Sequence, residues 1–235
     1  MRWLAAVACA VLGAACGGDD GEPEGEPLPA DAETIIAASA AAMGEVTSVR
    51  FEIERSGAPV YIDSFESLTL ERIVGRFAAP TSADAALTVT VDGSLTTKLG
   101  AVAIDDMVWL SNPVTGEFEE LAPGYDLDPS TFFDPEGGWR PLLAEFDDVV
   151  LVGSEYRGGQ RYHLRGVAPA ERIENVTAGL VEDQDVEIDL WVRRDTGLVT
   201  AVELSTRVDD DVTDWVLELS GYGDDFTIEA PDIDG

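Results

Sequence analysis

Val186-Glu187-Ile188-Asp189-Leu190-Trp191-Val192 alternates between apolar and acidic residues up to its last two positions. A period of two puts Val186, Ile188, Leu190 and Val192 on one face of a strand and the acids on the other. Asp195-Thr196-Gly197 then turns the chain. The same pattern recurs to either side. Val49, Phe51 and Ile53 alternate with Arg50, Glu52 and Glu54, and Leu87, Val89 and Val91 run into Asp92-Gly93, a tight-hairpin dipeptide. Val202 and Leu204, then Trp215, Leu217 and Leu219, complete a meander. Strands with one apolar face build an antiparallel sheet whose apolar side needs a cover. The expected class is α+β.

Other stretches give turns and irregularities. Asp105-Asp106 separates Val102-Ala103-Ile104 from Met107-Val108-Trp109-Leu110. Leu68 to Phe77 starts in register, then places Arg72 where an apolar residue is due, so a bulge is expected there. Strands resume at Val149-Val150-Leu151-Val152, Arg157-Gly158-Gly159 turns, and Arg161 to Val167 returns. Helix signals are few. Asp31 can cap an Ala-rich helix running to about Glu45, with Ile35, Ile36, Ser39 and Met43 on one face and Gly44 at its end. Asp128-Pro129 and Asp134-Pro135 each pair a helix cap with proline. Trp139, Leu142, Leu143 and Phe146 have helical spacing, and Pro141 means that the helix either kinks or, the preferred reading, begins near Arg140 with Gly137-Gly138 as loop. Pro169 to about Ala178 is a third, short helix.

The N-terminal end has a different character. Arg2 precedes an apolar run from Trp3 to Leu12, the length of a signal-peptide core and too short to span a bilayer. Leu12-Gly13-Ala14-Ala15-Cys16 resembles a bacterial lipobox, whose cysteine is lipidated and becomes the first mature residue. Residues 1–15 are thus expected to be a signal peptide. Residues 16–30 are expected to be lipidated Cys16 followed by a disordered acidic Gly/Pro linker, and residues 31–235 one domain. Cys9 lies inside the apolar run, so the body holds no cysteine. Disulfide scaffolding, thiol catalysis and thiolate metal sites are excluded.

The chain has 47 acidic and 14 basic residues, a formal charge of −33. Such a surface repels phosphate backbones and anionic headgroups, which argues against nucleic-acid binding and polybasic membrane docking. Asp209-Asp210-Asp211 with Asp214, and Glu182-Asp183 with Asp185, are acid clusters without an EF-hand pattern; they are expected to be solvated turns, and no metal site is assigned. His163 is the only histidine and alternates out of phase with Tyr162 and Leu164, sharing the solvent face with Arg161 and Arg165. No motif supplies it with a nucleophile, so no catalytic residue is assigned and no enzyme is expected.

Asp134-Pro135-Glu136-Gly137-Gly138-Trp139-Arg140-Pro141-Leu142-Leu143 is followed by Val152-Gly153-Ser154-Glu155 and Gly159-Gln160-Arg161-Tyr162-His163-Leu164-Arg165-Gly166. With Pro169-Ala170 and Leu190-Trp191-Val192, these pieces resemble in order and spacing the actinobacterial envelope lipoproteins of the LppX/LprAFG family. The first helix running into Thr47-Ser48-Val49-Arg50-Phe51 is similar to that family's opening, and the resemblance extends from Asp31 to Tyr222. It implies a fold similar to the LolA and LolB carriers: a strongly curved antiparallel sheet forming a half-barrel, with helices over its concave face and an apolar, lipid-holding cavity between them. It also implies a lipoprotein anchored by acyl chains on the extracytoplasmic face of the cell membrane. Such a protein binds an acylated lipid or glycolipid, carries it across the envelope without a cofactor, and has a membrane transporter as partner.

Phe51, Val89, Leu190, Trp215 and Leu217 are candidate cavity lining, although the same residues would pack the core of any sandwich. Trp139, Leu142, Leu143 and Phe146 are a candidate lid, or equally a helix plugged into the core. The alternative function is a structural or sensory surface lipoprotein with a filled core, acting through protein contacts.

Overall fold

The computed structural model describes residues 31–63, 65–105, 107–121, 137–177, 181, 183–208 and 210–233. The expected signal peptide, Cys16 and the linker lie outside the described residues, as do Asp128-Pro129, Asp134-Pro135, Asp106, Glu182 and Asp209. The chain opens with helix α1 (Ala32–Met43), followed by strands β1 (Ser48–Gly57), β2 (Leu68–Ala78), β3 (Ser82–Val91), β4 (Leu95–Ile104), β5 (Met107–Ser111) and β6 (Phe118–Glu120). Helix α2 (Trp139–Ala144) precedes β7 (Asp147–Tyr156) and β8 (Gln160–Ala168). Helix α3 (Ala170–Val176) leads to β9 (Val186–Arg193), β10 (Val199–Val208) and β11 (Asp211–Ser220).

The eleven strands among the described residues form one curved, unclosed antiparallel sheet, in the order β6-β5-β4-β3-β2-β1-β11-β10-β9-β8-β7. Two meanders, β1 to β6 and β7 to β11, are therefore joined along a single seam, where Arg50 pairs with Ser220 and Gly57 with Thr213. The hairpin after β3 turns on Asp92 and Gly93, both at positive φ (47° and 64°), the conformation a two-residue turn of this kind demands. The Arg72 irregularity is a bulge. Leu70 pairs with Val89 and Arg72 with Thr88, leaving Glu71 as the extra residue. The phase change keeps Leu70 inside before the bulge and Phe77 inside after it, and turns Arg72 outward against Glu52 and Glu54.

Helix α1 starts where its cap dictates. Asp31 accepts from the Thr34 backbone N–H at 3.1 Å, and Ile35, Ile36, Ser39, Ala40 and Met43 are buried. Gly44 follows with an ordinary right-handed φ of −69°. Space explains the glycine better than conformation does, because a Cβ there would lie 2.9 Å from Cδ of Arg140. Helix α2 begins at Trp139, one residue before the position expected from Pro141. Pro141 is then its third residue, in the first turn, where no intrahelical N–H is required. Strand β6 was not expected; three residues with one apolar side chain carry no readable period.

The inner face of the sheet packs against the helices around Val49, Phe51, Phe77, Tyr162, Leu164, Ile188, Leu190 and Val192. A second cluster of Leu70, Leu87, Val89, Leu99 and Trp215 lies farther along the same face. Each fully buried aliphatic or aromatic residue contributes about 1.5–3 kcal/mol, which is how a body without cysteine after residue 30 can be held. After β11 the chain is tied back: Gly223 N–H donates to Ser48 O, Ser48 Oγ donates to Asp224 O at 2.7 Å, and the Tyr222 hydroxyl donates to Val199 O at 2.5 Å.

Candidate functional site

An apolar cavity of about 60 Å³ lies between the inner face of the sheet and the two short helices. Its floor is Ile53, Ile188, Val202, Leu204, Trp215 and Leu217, from β1, β9, β10 and β11. Its roof is Trp139 and Leu142 of α2 with Ile173 and Thr177 at α3. Strand alternation brings the floor residues to one side, and the antiparallel pairs Ile53–Leu217 and Val202–Leu217 set them beside one another.

The lining offers almost no polar atom. Thr177 Oγ1 is occupied, donating to Ile173 O at 2.8 Å and accepting from Val181 N–H. Trp215 Nε1 donates to Thr206 Oγ1 at 2.9 Å. Trp139 is the exception: it is 4% exposed and its buried indole Nε1 has no hydrogen-bond partner. A buried donor left in this state costs about 1–3 kcal/mol.

On the other side of α2 is an open groove of about 850 Å³, bounded by Ile36, Ala37 and Ala40 of α1, by Leu143 and Phe146, and by the start of β7. The four candidate lid residues therefore divide. Trp139 and Leu142 face the cavity, Leu143 and Phe146 border the groove, and α2 is the partition between the two. The candidate lining residues divide as well. Trp215 and Leu217 line the cavity, Phe51 and Leu190 are buried in the main core, and Val89 belongs to the second cluster. Ile53, Val202 and Leu204 lie on inward positions visible in the sequence, but which inward residues meet depends on the β1–β11 seam.

His163 does stand on the outer face, and it has partners the alternation did not reveal. Its Nε2 is 2.6 Å from Asp189 Oδ1, and its ring stacks on Trp191 with centroids 4.5 Å apart. Asp189 also accepts two hydrogen bonds from Arg165, which pushes the Arg165 guanidinium still further toward its charged form. Among the described residues no hydroxyl or thiol is hydrogen-bonded to the imidazole, and no group of His, Cys, Asp and Glu is arranged to hold a metal ion. Asp185 caps α3 by accepting from Ala170 N–H, and Asp214 accepts from Ser205 Oγ.

A curved, unclosed antiparallel sheet with an apolar cavity under a few short helices defines a class of envelope lipoprotein folds. The LppX_LprAFG lipoprotein family model matches residues 31–228, and the chain belongs to that family. Among solved structures it is similar to LprF from Mycobacterium bovis, with a TM-score of 0.65 at 15% identity over 89% of this chain and 100% of that one. It is also similar to the Mycobacterium tuberculosis lipoprotein LppX, with a TM-score of 0.58 at 13% identity over 84% of this chain and 97% of that one. No curated protein sequence matches it. No helix among the described residues is long and apolar enough to cross a membrane.

Proposed function

We propose that this protein is a non-enzymatic lipid carrier, held at the extracytoplasmic face of the cell membrane by acyl chains on Cys16. It binds an acylated lipid or glycolipid between the sheet and α2 and hands it on across the envelope to a membrane partner. One observation carries the reading: the apolar cavity under a six-residue helix whose Trp139, one of the lining residues, keeps a buried indole Nε1 without a partner. A helix that short has little stability of its own and is held by its packing. Its Gly138 N-cap makes no side-chain hydrogen bond. Shifting α2 joins the cavity to the groove beside it and gives an acyl chain its entry. Tails then supply the affinity, about 0.8 kcal/mol for each CH₂ removed from water, and an ester or amide carbonyl satisfies Trp139 Nε1.

The test is native mass spectrometry and organic extraction of the protein expressed without its signal peptide. Lipid is expected to co-purify, and Leu217→Trp, which fills the cavity, is expected to keep the circular dichroism spectrum and lose the lipid. A wild-type protein that carries no lipid and takes up no acylated probe overturns the reading. The rival, a structural or sensory surface lipoprotein acting through protein contacts, is favoured by the cavity's small size of about 60 Å³, and would then be the better reading. Anchoring is tested separately. Two or three acyl chains hold a protein firmly where one does not, so Cys16→Ala is expected to move it out of the mature membrane-bound fraction. A mature N-terminus at another residue, without lipid mass, rules the anchor out.

A further inference from the structure

The outer face of the sheet, turned away from the helices and the cavity, gathers cations in a chain that has few. Strand alternation sets Arg50, Arg72, Arg76, Arg161, Arg165 and Arg193 on it. Most meet a carboxylate: Arg50 with Asp224, Arg72 with Glu52 and Glu54, Arg76 with Asp84, Arg165 with Asp189, Arg193 with Asp195. Arg161 does not. Against 47 acidic residues in the sequence, it forms no ion pair with any described residue, and its buried Nε has no hydrogen-bond partner. Burial and the neighbouring Arg157 and Arg193 guanidinium groups disfavour its charge, and Glu155 and Glu218 offset only part of that.

Arg161 lines a groove of about 370 Å³ together with Arg50 and Arg157. The groove's two carboxylates are already taken, Glu52 by Arg72 and Glu218 by Arg157 at 3.2 Å. The Arg157–Glu218 pair is more than half exposed on both sides, so it is worth at most about 1 kcal/mol and yields readily to a better acceptor. A partly buried guanidinium fork without an acceptor, flanked by two further arginines, is the complement of an oxyanion that accepts two parallel N–H bonds. We propose that this outer groove is a binding site for a phosphate group, with Arg161 as its fixed donor and Arg157 and Arg50 closing on it from either side. It is a local exception to the repulsion the whole molecule exerts on anions.

The phosphate can be free or the headgroup of a phospholipid, and calorimetric titration of the full chain in non-ionic detergent at constant ionic strength separates the two. Inorganic phosphate and a short-chain phosphatidylglycerol are the two probes. Equal affinity for both identifies a site for free phosphate, and tighter binding of the lipid that is lost in Arg161→Gln identifies a headgroup site, because tails held in the apolar cavity do not need Arg161. In either case Arg161→Gln is expected to weaken binding about tenfold or more while leaving the melting temperature unchanged or higher, because it removes a repelled charge. Arg157→Gln is expected to weaken binding less, and serves alone if the Arg161 variant does not fold. Lys98→Gln, which removes a cation outside the groove, is expected to change nothing. No binding at millimolar phosphate overturns the site. So does wild-type affinity in both arginine variants, or an equal loss in Lys98→Gln.

Discussion

At the residue scale, Tyr222 shows how one buried hydroxyl ties the C-terminal segment to the sheet. Its phenol donates to Val199 O, and burial pushes its ionisation well above the usual tyrosine value. The folded value is raised above the unfolded one, so this contribution is complete below a pH of about 10 and is lost as pH rises beyond it. Tyr222→Phe is expected to lower unfolding free energy by about 1 kcal/mol at neutral pH and to flatten the alkaline decline, as measured by urea titration from neutral to strongly alkaline pH. An unchanged alkaline decline would mean other groups govern it. None of this is legible in the sequence, where Tyr222 is one aromatic residue in a polar stretch. The same is true of Phe51 and Gly75. They pair across β1 and β2, and a Cβ on Gly75 would come within 2.3 Å of the Phe51 ring. Register decides such contacts, and register belongs to the sheet.

At the scale of elements, period and turn chemistry were readable wherever a segment was long enough to show them. Helix α1, the Asp92-Gly93 hairpin and β9 follow their sequence patterns, and even the misplaced Arg72 identified a bulge. Only three-residue β6 escaped, together with the division of α2 between two spaces. The bulge makes a sharp prediction. Deleting Glu71 removes the extra residue and sets Leu70 and Ile73 two positions apart, so plain alternation keeps Leu68, Leu70, Ile73 and Phe77 all inward. The deletion gives up the Arg55–Glu71 ion pair but no apolar burial, and the urea midpoint is expected to fall by the equivalent of about 1 kcal/mol or less. Leu70 is 1% exposed, and turning it outward would cost about 1.5–3 kcal/mol. A loss of that larger size would show that the register beyond the bulge is set elsewhere.

At the scale of the whole molecule, charge and topology behave differently. The charge was fully visible: removing residues 1–15 takes away one arginine and no acid, leaving a body slightly more negative than the −33 of the chain. Salt acts on it in two opposing ways. It weakens the outer-face ion pairs, each worth about 1 kcal/mol or less, and it shortens the self-repulsion of the entire surface to about 3 Å at 1 M. The repulsion is the larger quantity, so the melting temperature is expected to rise from low to molar sodium chloride; a flat or falling curve means the acids are already compensated. Topology was only half visible. The antiparallel meander could be read from the strands, but the β1–β11 seam could not, because no local pattern says which distant strands meet. The cavity inherits that gap, since its floor is built across the seam from β1, β11, β10 and β9.

That seam also sets an order of events during biogenesis. Among the described strands β1 is the first to leave a ribosome and β11 the last, yet Arg50 and Ser220 are cross-strand partners at the middle of the sheet. A chain emerging N-terminus first can form the β1 to β6 meander early, but it holds one edge of β1 open until nearly the whole polypeptide has passed. Pairings of such long sequence separation form slowly. Until the last strand arrives, each half displays a bare edge and half of an apolar wall. This is the state in which a nascent chain most needs a chaperone.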